Sequence, residues 1–163
     1  MKQKTKKRTS RLAEKLRKAA QNLNVDVFGY ESKVTRNIIK CFSELSKETG
    51  LEENRLIIRI FRDRGAINVA VYNQGIPIKK ISVKELITLF TNSEPSGIFN
   101  LETSVVKGIE SFMVDISKRN NITVSQLQIC ITTIQDIVIV KAYKGIEFVE
   151  DIPLGVLIKH FTR

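Results

Sequence analysis

Four arginines and one aromatic residue, Phe61, are interspersed with apolar residues from position 55 to position 64, in the stretch RLIIRIFRDR. Guanidinium groups neutralise phosphates, and an aromatic ring gives a nucleobase a stacking surface worth about 1–3 kcal/mol. With two lysines that follow a later turn, this stretch forms the nucleic-acid-binding set predicted for the folded body: Arg55, Arg59, Phe61, Arg62, Arg64, Lys79 and Lys80. These residues predict a surface that holds DNA or RNA, single- or double-stranded, with little sequence preference.

The same alternation also has a purely structural explanation. Any half-exposed antiparallel strand alternates in this way, and exposed charges protect a strand against edge-to-edge aggregation. Tyr72, a further aromatic candidate on the next strand, recurs as Tyr143 in a stretch without arginines, which favours a core role for this tyrosine. Both explanations of the arginines stay open at the level of sequence.

The segment from Met1 to Lys18 carries most of the formal net charge of +10, with nine basic side chains against Glu14 alone. A stripe of Leu12, Leu16 and Leu23 predicts a basic amphipathic helix behind a charged end. Such arms most often bind nucleic acid, although a solubilising tail or a nuclear address also fits. Docking on an anionic lipid surface is disfavoured, because the helix has leucines but no aromatic anchor. The predicted phosphate contacts of the arm are Lys2, Lys4, Lys6, Lys7, Arg8, Arg11, Lys15, Arg17 and Lys18.

Residues for catalysis are sparse. The single histidine, His160, lies near the C-terminus, and no nucleophile elbow, Walker loop or GxGxxG motif occurs. Cys41 and Cys130 stand alone on predicted core elements, a pattern typical of buried, reduced thiols. We therefore predict a non-enzymatic protein that uses no metal and no cofactor.

Composition indicates one soluble domain. The chain has 163 residues, of which 42% are hydrophobic and 27% are charged, so it can bury a substantial core. No apolar run approaches the roughly 20 residues that span a bilayer, and no hydrophobic stretch of signal-peptide type follows the basic start. These features predict a cytoplasmic location, with a nuclear or nucleoid-associated one as the alternative.

One stretch occurs twice and must position the candidate residues. Residues 56–72, LIIRIFRDRGAINVAVY, are matched 71 positions later by residues 127–143, LQICITTIQDIVIVKAY. Corresponding apolar positions continue on both sides, from Val34 and Val105 to Phe90 and Phe161, if one residue is lost near Gly75 and regained later. Because the shared positions are those that build a core, we predict an internal duplication.

Each unit has the pattern of a helix, a three-stranded antiparallel meander and a second helix. The meander's first hairpin has a predicted loop at residues 62–65, and Pro77 marks the third strand as an edge strand. Ser82 and Glu85 form a predicted capping box for the closing helix. The predicted fold is α+β with pseudo-twofold symmetry: residues 1–30 hold the arm, its helix and a linker, 31–92 the first repeat, 93–100 a linker and 101–163 the second repeat.

The second unit differs from the first in its charge. Uncharged residues such as Gln126 and Cys130 replace the arginines of its first strand, and Ile137 and Ile139 are outward positions too apolar to be left in water. We predict that these two isoleucines meet a helix, the other repeat or a second copy of the chain. The alternative function is therefore a regulatory or scaffolding module, a homodimer or the partner of an acidic protein, with a solubilising tail.

Overall fold

The computed structural model describes residues 26–91 and 99–161, with side chains at 31–90 and 104–161. The chain divides into two compact units, Met1–Lys33 and Val34–Arg163. The predicted basic arm and amphipathic helix, including every basic residue from Lys2 to Lys18, lie outside the described residues. The site analysed below belongs to the second unit.

Helices and strands follow one another in the same order twice. A helix, a short 3-10 turn, three strands and a closing helix occupy the first half, and the second half repeats this order. The elements are α1 (Asp26–Thr49), β1 (Leu56–Asp63), β2 (Ala66–Asn73), β3 (Ile76–Ile81), α2 (Val83–Thr91), α3 (Phe99–Arg119), β4 (Leu127–Ile134), β5 (Ile137–Lys144), β6 (Glu147–Asp151) and α4 (Leu154–Phe161). The 3-10 turns are Glu53–Arg55 and Val124–Gln126.

All six strands form one antiparallel sheet in the order β3-β2-β1-β4-β5-β6. The two meanders therefore join through their first strands, β1 and β4, at the centre of the sheet. Along this seam Ile58 faces Ile131, Arg59 faces Cys130 and Ile60 faces Ile129. The predicted α+β class is confirmed, and the association of the meanders, which the sequence left open, is edge to edge.

One side of the sheet forms the core. Leu56, Ile58 and Ile60 on β1 are fully buried, while the residues between them are partly exposed, because successive side chains of a strand point to opposite sides. The helices pack against the buried side, where α2 contacts β2 and α4 contacts β5. At their ends the rings of Phe90 and Phe161 stack on each other with their centroids 4.1 Å apart.

The first hairpin turn is tighter than the sequence suggested. β1 extends to Asp63 and β2 begins at Ala66, so a two-residue turn replaces the predicted four-residue loop. Arg64 and Gly65 both take positive φ angles, 54° and 77°, as a type I′ turn requires. This turn matches the right-handed twist of the flanking strands, so the pairing continues to the tip.

Element boundaries also differ from the prediction. α1 begins at Asp26, inside the predicted linker, because the stretch lacks proline and a single glycine costs a helix only about 1 kcal/mol. α3 begins at Phe99, within the predicted 93–100 linker. The predicted loss of one residue near Gly75 is wrong: Asn73 pairs with Ile76 just as Lys144 pairs with Glu147, so the constant offset runs through the turn.

The predicted capping box at the start of α2 is confirmed. The Glu85 backbone N–H donates to the Ser82 hydroxyl at 3.0 Å, and the Ser82 N–H donates to the Glu85 carboxylate at 3.2 Å. Two amide donors that the first turn leaves free are thereby satisfied. This fixes where α2 begins after the edge strand β3.

Candidate nucleic-acid interface

The side of the sheet that faces away from the core carries a line of cations across the strands. Cross-strand pairing places six residues in one row, in the order Lys80, Ala70, Arg59, Cys130, Lys141 and Asp151. Lys80, Arg59 and Lys141 lie on every second strand of the sheet, on β3, β1 and β5. Adjacent strands are about 4.8 Å apart, so neighbouring cations stand roughly 10 Å from each other at the backbone. We call these three residues the basic row.

Aromatic rings flank the basic row on both sides. The row next to it contains Phe61 on β1, Tyr143 on β5 and Phe148 on β6, and we call it the aromatic row. Tyr72 of β2 is on the same face of the sheet but beyond the other edge of the basic row. The Arg59 guanidinium carbon is 4.4 Å from the centroid of the Tyr72 ring. The Lys141 Nζ lies 5.4 Å from the centroid of the Phe148 ring. Each half of the sheet thus presents one cation against one aromatic face.

Edge-to-face contacts hold these rings in place. Phe61 and Tyr72 have centroids 6.5 Å apart with planes at 74°, and Tyr143 and Phe148 have centroids 6.0 Å apart at 75°. This is the arrangement that the aromatic quadrupole favours, and it is worth about 0.5–1.5 kcal/mol per pair. Phe148 keeps 50% of its surface exposed, so its ring is fixed and still open to a ligand.

A trough lies between Arg59 and Lys141, because the residue that separates them in the row is small. Cys130 is only 7% exposed and does not project above its neighbours. The trough has a volume of about 210 Å³ and includes two members of the basic row and no carboxylate. Its lining residues are Ile57, Arg59, Cys130, Thr132, Lys141, Tyr143, Gly145 and Ile146.

Two polar groups on this side have unused hydrogen-bonding capacity. Arg59 Nε and Gln128 Oε1 have no hydrogen-bond partner within the part of the chain that the structure describes. A buried polar atom without a partner costs about 1–3 kcal/mol of stability. Gln128 lies in the aromatic row between Phe61 and Tyr143.

Burial keeps the thiol at the bottom of the trough protonated. It raises the pKa of Cys130 to about 11, and the neighbouring Arg59 guanidinium offsets only part of this rise. Cys41 on α1 also has a pKa of about 11, because of burial and then of repulsion from Glu44. Both groups are therefore mainly neutral thiols at pH 7.

The predicted binding residues do not all share this surface. Arg59, Phe61 and Lys80 lie on it, whereas Arg55 belongs to the exposed 3-10 turn before β1 and Arg64 to the hairpin tip. Arg62 and Lys79 lie on the other side of the sheet, since Arg62 pairs with Ile67 and Lys79 with Val71, both core residues. Lys79 also forms a salt bridge of 3.1 Å with Glu48 of α1.

Two residues of this surface, Lys141 and Phe148, were not predicted from the sequence. The prediction for the second half rests on β4, in which Gln128 and Cys130 carry no charge. The prediction of a neutral second sheet half is wrong, because Lys141 on β5 supplies a cation at the centre of that half. Strict alternation along VIVKAY, with Val140 and Ala142 turned to the core, would have identified Lys141 as an outward residue.

The predicted interface isoleucines do point outward. Ile137 is 62% exposed, and Ile139 is partly exposed two residues further along β5. Ile134, 48% exposed, lies across the turn from Ile137 and extends the apolar surface to the tip of the β4–β5 hairpin. Because Ile139 and Lys141 are successive outward residues of β5, this apolar patch adjoins the basic row.

The fold and this surface define the molecule as an α+β protein that presents one face of a six-stranded sheet. The chain matches no family model, no curated protein and no solved structure. None of the helices within residues 26–91 and 99–161 combines the length and the apolar character needed to cross a membrane. Over the same residues, no group of three His, Cys, Asp or Glu side chains is placed to hold a metal ion.

Proposed function

We propose that this protein is a small non-enzymatic nucleic-acid-binding protein. The observation that carries the proposal is the outward sheet face, on which Arg59 and Lys141 each lie against an aromatic ring beside a trough without carboxylates. Cations neutralise phosphates and release counterions, and aromatic faces stack on bases. Both requirements of a nucleic-acid ligand meet on one surface.

The basic arm would supply electrostatic affinity in addition to the sheet face. Its nine cations all lie between Met1 and Lys18, while the segment 101–163 carries equal numbers of basic and acidic side chains. Such a distribution attracts a polyanion from a distance and accelerates association. The cytoplasm, the nucleus or a nucleoid would each provide this ligand, and we propose the cytoplasm as the location.

We further propose that an internal duplication with pseudo-twofold symmetry produced the sheet. The β1–β4 seam supports this, because Arg59 faces Cys130, the position that corresponds to it in the second copy of the repeated stretch. Phe90 and Phe161, which correspond in the same way, stack on each other. Failure of the two halves to superpose in this alignment in an experimental structure would reject the duplication.

A salt titration of the full chain tests the proposed function. Fluorescence anisotropy with labelled single- and double-stranded oligonucleotides should detect binding at about 50 mM salt, with log affinity falling by about 0.7–0.9 per phosphate contact for each tenfold rise in salt. Neutralising part of the arm (Lys6→Ser, Lys7→Ser, Arg8→Ser) should weaken binding and flatten this slope. A matched variant that removes three helix cations (Arg36→Ser, Lys40→Ser, Lys107→Ser) should change it much less.

Absence of binding to any DNA or RNA at low salt would reject the proposed function. Equal losses in the arm variant and in the helix variant would also count against it, because the net charge and not a surface would then explain the affinity. Circular dichroism and thermal unfolding of each variant establish that the fold is intact before the affinities are compared.

A second candidate function is self-association, or binding of an acidic protein partner, through the outward isoleucines. The 62% exposure of Ile137 beside Ile139 and Ile134 favours it, because contiguous exposed apolar side chains mark interaction sites. Light scattering on the full chain should then report a dimer that Ile137→Lys converts to a monomer. A strict monomer at every concentration, together with no recovered partner, would remove this candidate.

A further inference from the structure

The basic row crosses the sheet, running perpendicular to its strands. Lys80, Arg59 and Lys141 come from β3, β1 and β5, and span four strand spacings, or about 19 Å. We infer that the row is the track of one unpaired nucleic-acid strand, whose phosphates follow the three cations and whose bases stack on the adjoining aromatic row. This inference rests on the proposed function and specifies the form of its ligand.

Charge defines where the track lies and where it ends. Between Arg59 and Lys141 the row contains the small residue Cys130, so a backbone can pass over this gap without a clash. Beyond Lys141 the next member of the row is Asp151 on the edge strand β6, and its carboxylate repels phosphate. The phosphate path therefore runs from β3 to β5 and stops before the β6 edge.

The rings select an unpaired strand over a duplex. In a duplex, base faces are already stacked on neighbouring bases, so exposed protein rings gain nothing from them, whereas an unpaired base is free to stack. Phe61, Tyr143 and Phe148 lie in one row beside the cations, where bases extending from a phosphate path along the basic row can reach them. Gln128, a partly exposed residue, lies between two of these rings.

The same rows explain why sequence preference should be weak. Phosphate contacts carry no sequence information, and every base has a face that can stack. The amide of Gln128 is the polar group at the centre of the aromatic row that can distinguish base edges. We expect similar affinities for different homopolymers, with a change in their ranking when Gln128 is replaced by leucine.

The test compares an unpaired oligodeoxythymidine of about 15 nucleotides, within the usual range of site sizes, with a duplex of equal length. Arg59→Gln and Lys141→Gln should each reduce the salt slope for the unpaired strand by about 0.7, the value for one phosphate contact. Phe148→Ala should weaken binding to the unpaired strand by about 5-fold to 150-fold, the range expected for one lost stacking contact, and leave duplex binding unchanged.

The matched control removes equal charge from the helix side of the sheet. Arg36→Gln and Lys107→Gln are exposed substitutions on α1 and α3, and they should leave the slope for the unpaired strand within error of the original chain. All the variants replace partly or fully exposed side chains, so folded protein is expected. Thermal unfolding of every sample verifies this before binding is measured.

A footprint on the basic row gives a second, independent measurement. Lys80 and Lys141 belong to the row, so a strand that follows the row covers their amines. Saturating oligodeoxythymidine should slow acetylation of Lys80 and Lys141 severalfold and leave the rate at the exposed Lys107 on α3 unchanged. Unprotected Lys80 and Lys141 in the presence of a bound strand would overturn the track.

The outcomes separate this inference from the proposed function. If no nucleic acid binds at low salt, both fall. If duplex and unpaired strands bind equally, and the row variants match the helix-side control, the track is wrong while nucleic-acid binding through the arm still stands. Slope changes confined to Arg59 and Lys141, with Lys80 and Lys141 protected from acetylation, would support the track.

Discussion

Replacement of Phe161 by alanine should be among the most damaging single changes in the core. Phe161 ends α4 and Phe90 lies near the end of α2, and both rings are completely buried. Their planes are within 14° of parallel with centroids 4.1 Å apart, so the two rings are in direct stacking contact. These two rings connect the closing helices of the two halves of the chain.

The expected cost follows from this burial. Truncation of a fully buried phenylalanine lowers the free energy of unfolding by about 3–5 kcal/mol, through lost apolar burial and the cavity left behind. For a chain of this size each kcal/mol corresponds to about 2–4 °C, so the melting temperature should fall by roughly 6–20 °C. Phe90→Ala should cost a similar amount, because its ring is equally buried.

Urea unfolding of both single variants and the double variant tests the stack itself. Once one ring is gone, the second has lost its partner, so the double variant should cost less than the two single changes combined by about 0.5–1.5 kcal/mol. Phe161→Leu, which keeps most of the volume, should cost less than alanine and provides a measurable variant if the alanine protein unfolds. A cost below about 1 kcal/mol, or additivity within about 0.3 kcal/mol, would refute the stacked arrangement.

Three further changes have defined outcomes. Gln135 and Asp136 both take positive φ angles, 50° and 64°, which Asn and Gly adopt with less strain. Replacing the pair by Asn-Gly should therefore raise the urea midpoint by the equivalent of about 1 kcal/mol, and a lower midpoint would contradict these backbone angles. Gly108→Val should lower the stability of the protein by about 1–3 kcal/mol, because a Cβ at this position of α3 would lie 3.1 Å from a backbone oxygen of α4. An unchanged melting temperature would show that α3 and α4 are further apart. Glu150→Gln should lower the free energy of unfolding by about 0.2–1 kcal/mol at pH 7, because Arg119 pairs with this carboxylate and lowers its pKa. The difference in stability between the two proteins should vanish as the pH falls through that lowered pKa, and a difference that does not depend on pH would argue against the ion pair.

Much of the fold could be predicted because the spacing of apolar residues along the sequence reports local secondary structure. Alternation in residues 56–61 identified the buried row Leu56, Ile58 and Ile60, and the Ser82–Glu85 spacing identified the start of α2. The joining of the meanders could not be predicted in this way. It depends on the pairing of Arg59 with Cys130 across the seam, a contact between residues far apart in sequence that no local pattern encodes.

The candidate site was only partly predictable for a related reason. Arg55, Arg62 and Arg64 were predicted to bind because they lie close to Arg59 in sequence. In the structure Arg62 lies on the core side of β1, and Arg55 and Arg64 lie beyond the two ends of this strand. The surface is assembled instead across strands, from single cations such as Lys141 that are inconspicuous within an apolar strand. A cross-strand row becomes visible only when the register is known.

Two ion pairs join a helix to an edge strand, one in each half of the chain. Glu48 of α1 pairs with Lys79 of β3, and Arg119 of α3 pairs with Glu150 of β6, so the same contact occurs at corresponding positions of the two halves with its charges exchanged. If the halves arose by duplication, the exchange has a physical consequence. Packing α1 on the wrong edge would oppose Glu48 to Glu150, and packing α3 wrongly would oppose Arg119 to Lys79. The swapped arrangement would replace two attractions by two repulsions, so it differs from the correct one by more than either exposed pair contributes, and the exchange acts mainly to specify which helix covers which edge.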